Sequence, residues 1–154
     1  MLKKGFVEVS NPDGQGRNLL IVDDDRSQAY LFEQMLNALG SAHNCHHVPG
    51  GQEALDFLNH RRPYENVPRP ELIILDIHMP GLDGCAVLRE IKRDVHLRCI
   101  PVIMFSRAAA EEMDACYHEH ANACISKQDD YEGMLRAVQQ IEQFWFQVVQ
   151  LPAL

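Results

Sequence analysis

Short, fully apolar runs alternate along the chain with segments whose apolar residues recur every three or four positions. Leu19-Leu20-Ile21-Val22 is the first such run, suited to a strand buried on both faces. Leu31, Phe32, Met35, Leu36 and Leu39 follow at helical spacing, and Gly40 stands where a helix would stop. Residues 43–48 predict a second strand, and Ala54, Leu55 and Leu58 mark a second helix. Arg61 to Pro70 carries three prolines and reads as a loop. Leu72-Ile73-Ile74-Leu75 predicts a third strand, followed by a helix through Val87, Leu88 and Ile91. Ile100 to Phe105 predicts a fourth strand, 109–120 a fourth helix, and Ala123-Cys124-Ile125 a fifth strand. Met134, Leu135, Val138, Ile141, Trp145, Val148 and Val149 predict one long final helix. Alternation of this kind implies an α/β fold with a parallel sheet and right-handed crossovers.

Residues 1–17 are polar and Gly-rich and read as a lead-in, with a short extra strand expected at Phe6–Val9. Gly14-Gln15-Gly16 precedes a strand and lacks a third glycine, so it is not a dinucleotide fingerprint. The remainder reads as one domain over 18–150 with a short tail at 151–154. A net charge of −8 argues against non-specific nucleic-acid binding. No apolar run is long enough to span a membrane, and no secretory signal follows Lys3 and Lys4, so a cytoplasmic protein is expected. Five cysteines without a CxxC pair predict reduced, mostly buried thiols in place of a disulfide framework or zinc site.

In open α/β sheets the site lies beyond the carboxyl ends of the strands. Asp23, Asp24 and Asp25 follow the first predicted strand, Asp76 the third, Ser106 the fourth, and Ser126 and Lys127 the fifth. Clustered carboxylates repel unless a cation neutralises them, and this set suits Mg²⁺. An aspartate can also attack phosphorus to give an aspartyl-phosphate. Mg²⁺, Lys127 and Ser106 would then each cover one phosphoryl oxygen. Taken singly, an Asp after a strand is usually a turn former or helix cap, and Asp25 is read as the cap of the first helix.

At these residues the chain resembles the response-regulator receiver family. The resemblance rests on Leu20 to Asp25, on Leu72 to Gly84 (LIILDIHMPGLDG), on Pro101 to Ser106 and on Ala121 to Lys127. It covers about residues 18 to 150. It implies a flavodoxin-like doubly wound (βα)5 fold with strand order 2-1-3-4-5. It implies Asp76 as phosphoacceptor, Ser106 as the switch hydroxyl and Lys127 as the conserved-type lysine. It implies metal ligation by Asp24 directly, Asp23 partly through water, Asp76, and the backbone carbonyl of His78. Phosphoryl would come from a histidine kinase or phosphotransfer protein, and output would be a contact with a downstream protein. Such a protein is not a conventional enzyme, though it would catalyse its own phosphorylation and dephosphorylation. The ending Gln143 to Pro152 resembles single-domain receivers paired with bacterial phytochrome kinases, which implies a homodimer contact for the final helix.

Three positions depart from the family pattern. Gln128 replaces the proline after the lysine, and a cis bond before a non-proline costs about 2.5–4 kcal/mol, so a trans bond is expected. Cys124 occupies the aromatic switch position. Arg107 follows Ser106 where a small residue is usual, and is long enough to cover the acceptor or pair with Asp76. These departures motivate an alternative, a pseudo-receiver working as a phosphorylation-independent interaction module. A haloacid-dehalogenase-like phosphatase would want a second Asp where His78 stands. A flavodoxin would need a phosphate-cradling loop where three carboxylates stand. Two further sets, His43, Cys45 and His47 on the second strand and Cys116 with His120 on the fourth helix, read as ordinary packing and not as transition-metal sites.

Overall fold

A computed structural model of the chain describes residues 16–153. The strand expected at Phe6–Val9 lies outside the described residues. Five strands and five α-helices alternate: β1 (Asn18–Val22), α1 (Arg26–Ala38), β2 (Asn44–Val48), α2 (Gly51–Leu58), β3 (Leu72–Leu75), α3 (Gly84–Arg93), β4 (Val102–Ser106), α4 (Ala110–His118), β5 (Ala123–Ser126) and α5 (Tyr131–Glu142). The sheet is parallel throughout with order β2-β1-β3-β4-β5. This is the expected flavodoxin-like, doubly wound arrangement.

Successive strand residues face opposite layers. Leu20, Val22, Ile73, Leu75, Val102 and Met104 pack with α2, α3 and α4. Leu19, Ile21, Leu72, Ile74, Ile103 and Phe105 pack with α1 and α5. A strand apolar on both faces is therefore the direct result of helices covering both sides. Register brings the strand ends level: Val22 lies opposite Leu75, and Leu75 opposite Met104. The ladder continues one step further, with Asp23 N–H donating to Val48 O (3.2 Å), Asp76 N–H to Val22 O (3.0 Å) and Lys127 N–H to Ser106 O (3.0 Å). The chemistry-bearing residues are thus fixed by backbone bonds on one rim.

Local signals explain both ends of α1. The Asp25 carboxylate accepts from Ser27 and Gln28 N–H and caps α1, as expected. Gly40 takes a positive φ of 81° just past α1, a conformation that favours glycine. The inward face of α1 is Ala29, Phe32, Met35 and Leu36, while Leu31 and Leu39 are only partly buried. β4 begins at Val102, after the predicted start at Ile100. Pro101 has no N–H for the ladder, although its carbonyl accepts from Ile73 (3.0 Å).

The final helix differs from the prediction. Regular α-helix ends at Glu142, and Gln143–Val148 form a π-helical turn closed by Val149 N–H to Phe144 O (2.8 Å). Phe146 in this turn stacks on His43 at 4.0 Å between ring centroids. Val148 is exposed and does not join the core.

The expectation of reduced thiols fails at one pair. Cys85 on α3 and Cys116 on α4 form a disulfide, their Cα atoms 5.7 Å apart, while Cys45, Cys99 and Cys124 are free. Packing of α3 beside α4 brings together two cysteines 31 residues apart, which no spacing rule reveals. Cys116 is therefore not a partner for His120, which lies beyond the end of α4 with φ 71°. No helix among the described residues is long and apolar enough to cross a membrane.

Candidate functional site

The site lies over the ends of β1 and β3. Asp23 is buried and Asp24, next in the turn, is exposed; with Asp76 they bring one carboxylate oxygen each within 4.8 Å of one another. Lys127 reaches in from beyond β5, its ammonium 2.6 Å from Asp23 Oδ2 and 3.4 Å from Asp76 Oδ2. Its side chain is 5% exposed and lies over the Phe105 ring at 5.9 Å. A lysine so buried requires paired charge, and the two aspartates supply it.

Burial pushes the Asp23 carboxyl above its ordinary value. The Lys127 hydrogen bond, the Asp25 N–H and the Lys127 charge pull it back, while Asp76 adds to the rise. Two of the three carboxylates thus share one ammonium, and Asp24 has no ion pair among the described residues. A cluster of hard oxygen donors with unbalanced negative charge suits a divalent cation.

Ser106, the last residue of β4, is buried, and its Oγ has no hydrogen-bond partner. A buried, orphaned hydroxyl at a polar site is suited to a ligand oxygen. Below the carboxylates, the Gln28 side chain joins Asp23, Asp76, Phe105 and Lys127 in lining a small cavity, and its Oε1 is likewise unpartnered. Gln28 was not among the expected site residues; its position one turn into α1 carries no signal without the packing.

The loop after Asp76 is held by close backbone approach. Gly84 N–H donates to Ile77 O at 2.9 Å, and a Cβ on Gly84 would collide with the Asp76 carbonyl oxygen. His78 is exposed, and its imidazole meets Glu112 at 3.1 Å, not the carboxylates. The same Glu112 oxygen accepts from Ala109 N–H (2.8 Å) at the start of α4. Residues 77–81, Asp83 and Glu112 line a shallow groove between the loop after Asp76 and α4.

The three departures resolve as follows. The Lys127–Gln128 bond is trans, the cis bond among the described residues being Arg62–Pro63. Arg107 does not cover Asp76; it turns to the lysine loop, with Asp129 Oδ1 at 3.4 Å from Nε and Gln128 O at 3.4 Å. The acidic Asp129, two residues past the lysine, offers it a charge partner already in place. Cys124 is tied to α4: its N–H donates to the Tyr117 hydroxyl (3.0 Å) and its thiol lies 3.5 Å from Met113 O.

The histidine and cysteine set on β2 does not converge. His43 stacks on Phe146 and accepts from Arg17 N–H, while His47 Nε2 meets the Asp23 carbonyl at 2.8 Å. Burial pushes the Cys45 thiol up to about 12, far from a ligating thiolate. The one cluster of metal-ligating type among the described residues is the acidic one.

Residues 19–139, most of the chain and all of the rim, match the response regulator receiver domain family. The chain belongs to that family. Its members are phosphoacceptor signalling domains that meet phosphodonors and downstream targets, so this receiver is a signalling protein and not a member of a conventional enzyme family. It is 35% identical to the response regulator Rcp1 of Synechocystis, over 94% of this chain and 97% of that protein. It is 30% identical to a probable methanogenesis regulatory protein, FilR2 of Methanothrix harundinacea, over 82% of each. Among solved structures, Mn²⁺-bound Rcp1 superposes with a TM-score of 0.84 at 34% identity, covering 89% of this chain and 99% of that one. The phosphorylated cyanobacterial phytochrome response regulator RcpA gives 0.85 at 31% identity, covering 90% of this receiver and all of that chain.

Proposed function

We propose that this receiver acts as a stand-alone response regulator in which Asp76 accepts phosphoryl from a histidine kinase or phosphotransfer protein. The observation that carries the proposal is the Lys127 ammonium bridging Asp23 and Asp76, with Lys127 N–H bonded to the carbonyl of Ser106, whose buried hydroxyl has no partner. Mg²⁺, held by Asp23, Asp24, Asp76 and the backbone carbonyl of His78, would supply positive charge opposite the incoming phosphoryl oxygens. A carboxylate oxygen of Asp76 bonds to phosphorus as the donor's phosphorus–nitrogen bond breaks, and the electron pair stays on the donor imidazole. Lys127, oriented by Asp23, pairs with a second phosphoryl oxygen, and Ser106 Oγ–H donates to a third. Water attacking the aspartyl-phosphate regenerates Asp76, the self-dephosphorylation expected of the family.

Movement of Ser106 toward the phosphoryl group carries α4 and β5 with it, and the faces of those elements gain or lose a protein partner. The exposed Phe144 and Val148 at the end of the chain supply apolar surface for a homodimer. Acidic net charge fits a protein target and not a nucleic acid, and the reading implies a cytoplasmic protein. One observation favours the pseudo-receiver alternative: Cys124, at the aromatic switch position, is bonded to α4 and has no ring to swing.

Intact mass after incubation with acetyl phosphate and Mg²⁺ decides between them. One added phosphoryl group, absent in Asp76→Asn, is the expected result. No addition to the wild type would overturn the phosphoacceptor proposal and leave the interaction module.

A further inference from the structure

We propose that Cys85 and Cys116 form a redox-responsive clasp that governs the freedom of α4. Its consequence for signalling rests on the phosphoacceptor proposal; its chemistry does not.

The pair joins two elements that flank the site. Cys85 is the second residue of α3, directly after the Gly84 that packs against the Asp76 carbonyl. Cys116 lies in the last turns of α4 and is fully buried. Their Cα separation of 5.7 Å falls within the range a disulfide spans without backbone movement.

Little else holds α4 in place. It buries only Met113 and Cys116, whereas α3 buries Gly84, Val87, Leu88 and Ile91. One of its two anchoring side chains is therefore the cysteine itself. An ion pair between Arg89 and Glu119 (2.9 Å) lies at the same α3–α4 seam, partly exposed and so weak. On its other sides, α4 holds His78 through Glu112 and accepts from Cys124 through Met113 O and the Tyr117 hydroxyl. A covalent bond at Cys116 fixes the helix that links the acceptor loop to β5. Opening that bond leaves α4 held without a covalent tie, by the packing of Met113 and the Cys116 thiol and by polar contacts.

The remaining cysteines point to a reversible switch and not a permanent staple. Cys45, Cys99 and Cys124 stay as thiols, so the chain has no disulfide framework. A single disulfide among free thiols is typical of redox sensing in a reducing compartment. Cys85 is the more accessible sulfur of the pair and meets an external oxidant first. Its thiolate attacks a low-molecular-weight disulfide, forming a mixed disulfide and expelling one thiolate. The Cys116 thiol then loses its proton and attacks the Cys85 sulfur, expelling the second thiolate. Two protein thiols are oxidised as one external disulfide is reduced to two thiols; a reducing dithiol reverses both steps.

The test uses the full chain with Cys99→Ser, which removes the exposed competing thiol. After oxidised glutathione and desalting, alkylation in denaturant should label Cys45 and Cys124 alone; after dithiothreitol it should label Cys85 and Cys116 as well. Hydrogen exchange of α4 amides should be about threefold or more slower in the oxidised protein. Acetyl phosphate with Mg²⁺ should change α4 exchange in the reduced protein and much less in the oxidised one. Cys85→Ser, and independently Cys116→Ala, should erase the redox difference. Labelling of all four cysteines in both preparations would overturn the clasp, as would equal α4 exchange in the two redox states. Failure of both forms to take phosphoryl would overturn the phosphoacceptor proposal instead, and the unphosphorylated exchange comparison would still decide the clasp.

Discussion

Asn in place of Asp24 removes one carboxylate from a cluster of three that holds a single ammonium. Lys127 bonds Asp23 and Asp76, and no ion pair among the described residues reaches Asp24. Carboxylate oxygens of the three lie within 4.8 Å of one another. Two unit charges at that distance repel by about 1 kcal/mol in water and by roughly 3.5 kcal/mol at an effective dielectric constant of 20. Asp24 is exposed, so screening places its share near the lower figure. Without divalent metal, Asp24→Asn should therefore stabilise the protein by about 1 kcal/mol, a rise of roughly 2–4 °C in Tm for a domain of this size. Thermal melts in chelator measure this directly. A second series with saturating Mg²⁺ or Mn²⁺ supplies the contrast. Wild type gains stability by binding the cation in its folded form, and the variant gains less, so the advantage shrinks or reverses. A lower Tm for Asp24→Asn in chelator, or an equal gain from metal in both proteins, would show that carboxylate repulsion is not what the site stores.

Three other outcomes are expected. Gly84→Ala drives a methyl group against the Asp76 carbonyl and should cost about 1–3 kcal/mol in denaturant unfolding, with weaker metal binding read by titration. Burial holds His43 below the ordinary imidazole value of 6.5, against Glu142 and Glu71 pulling it up and with Arg17 pushing it down. The unfolded chain takes a proton that the folded one resists, so stability is full above that value and falls as pH drops below it toward the lowered folded value. His43→Leu should flatten that limb of a stability–pH curve, leaving the contribution of the same sign from His46. Arg107→Ala removes an exposed ion pair with Asp129 and should change neither Tm nor the rate of phosphorylation by acetyl phosphate; a slower rate would mean that the guanidinium reaches the phosphoryl group.

The central strands were legible because both of their faces are buried. An unbroken apolar run such as LIIL has no polar face to give, and for the same reason it does not say which residue meets which helical layer. The edge strand β2, sequence NCHHV, was harder to place, since only Val48 is fully buried. The break at Glu142 was not legible at all: the apolar spacing continues through Trp145 and Val148, and the π turn is bound up with the stacking of Phe146 on His43, a hundred residues away in sequence. The rim itself could be read, because in-register parallel strands put the residue after each strand at one level. What helix packing adds could not: the Cys85–Cys116 bond, the Glu112 contact to His78 and the burial of Gln28 Oε1 all depend on how helices settle against the sheet. Arg107 shows the same limit, since its length was evident and its choice of Asp129 over Asp76 was not.

The bond from Lys127 to Asp23 spans 104 residues. On a ribosome, Asp23 and Asp76 are made before the one ammonium that bridges them. A nascent chain that has finished β1 and β3 carries a knot of negative charge at the edge of an incomplete sheet. That charge opposes early closure of the rim until β5 pairs with β4 and brings the lysine over. Synthesis interrupted anywhere before residue 127 therefore yields a chain in which Asp23 and Asp76 lack the ammonium they share.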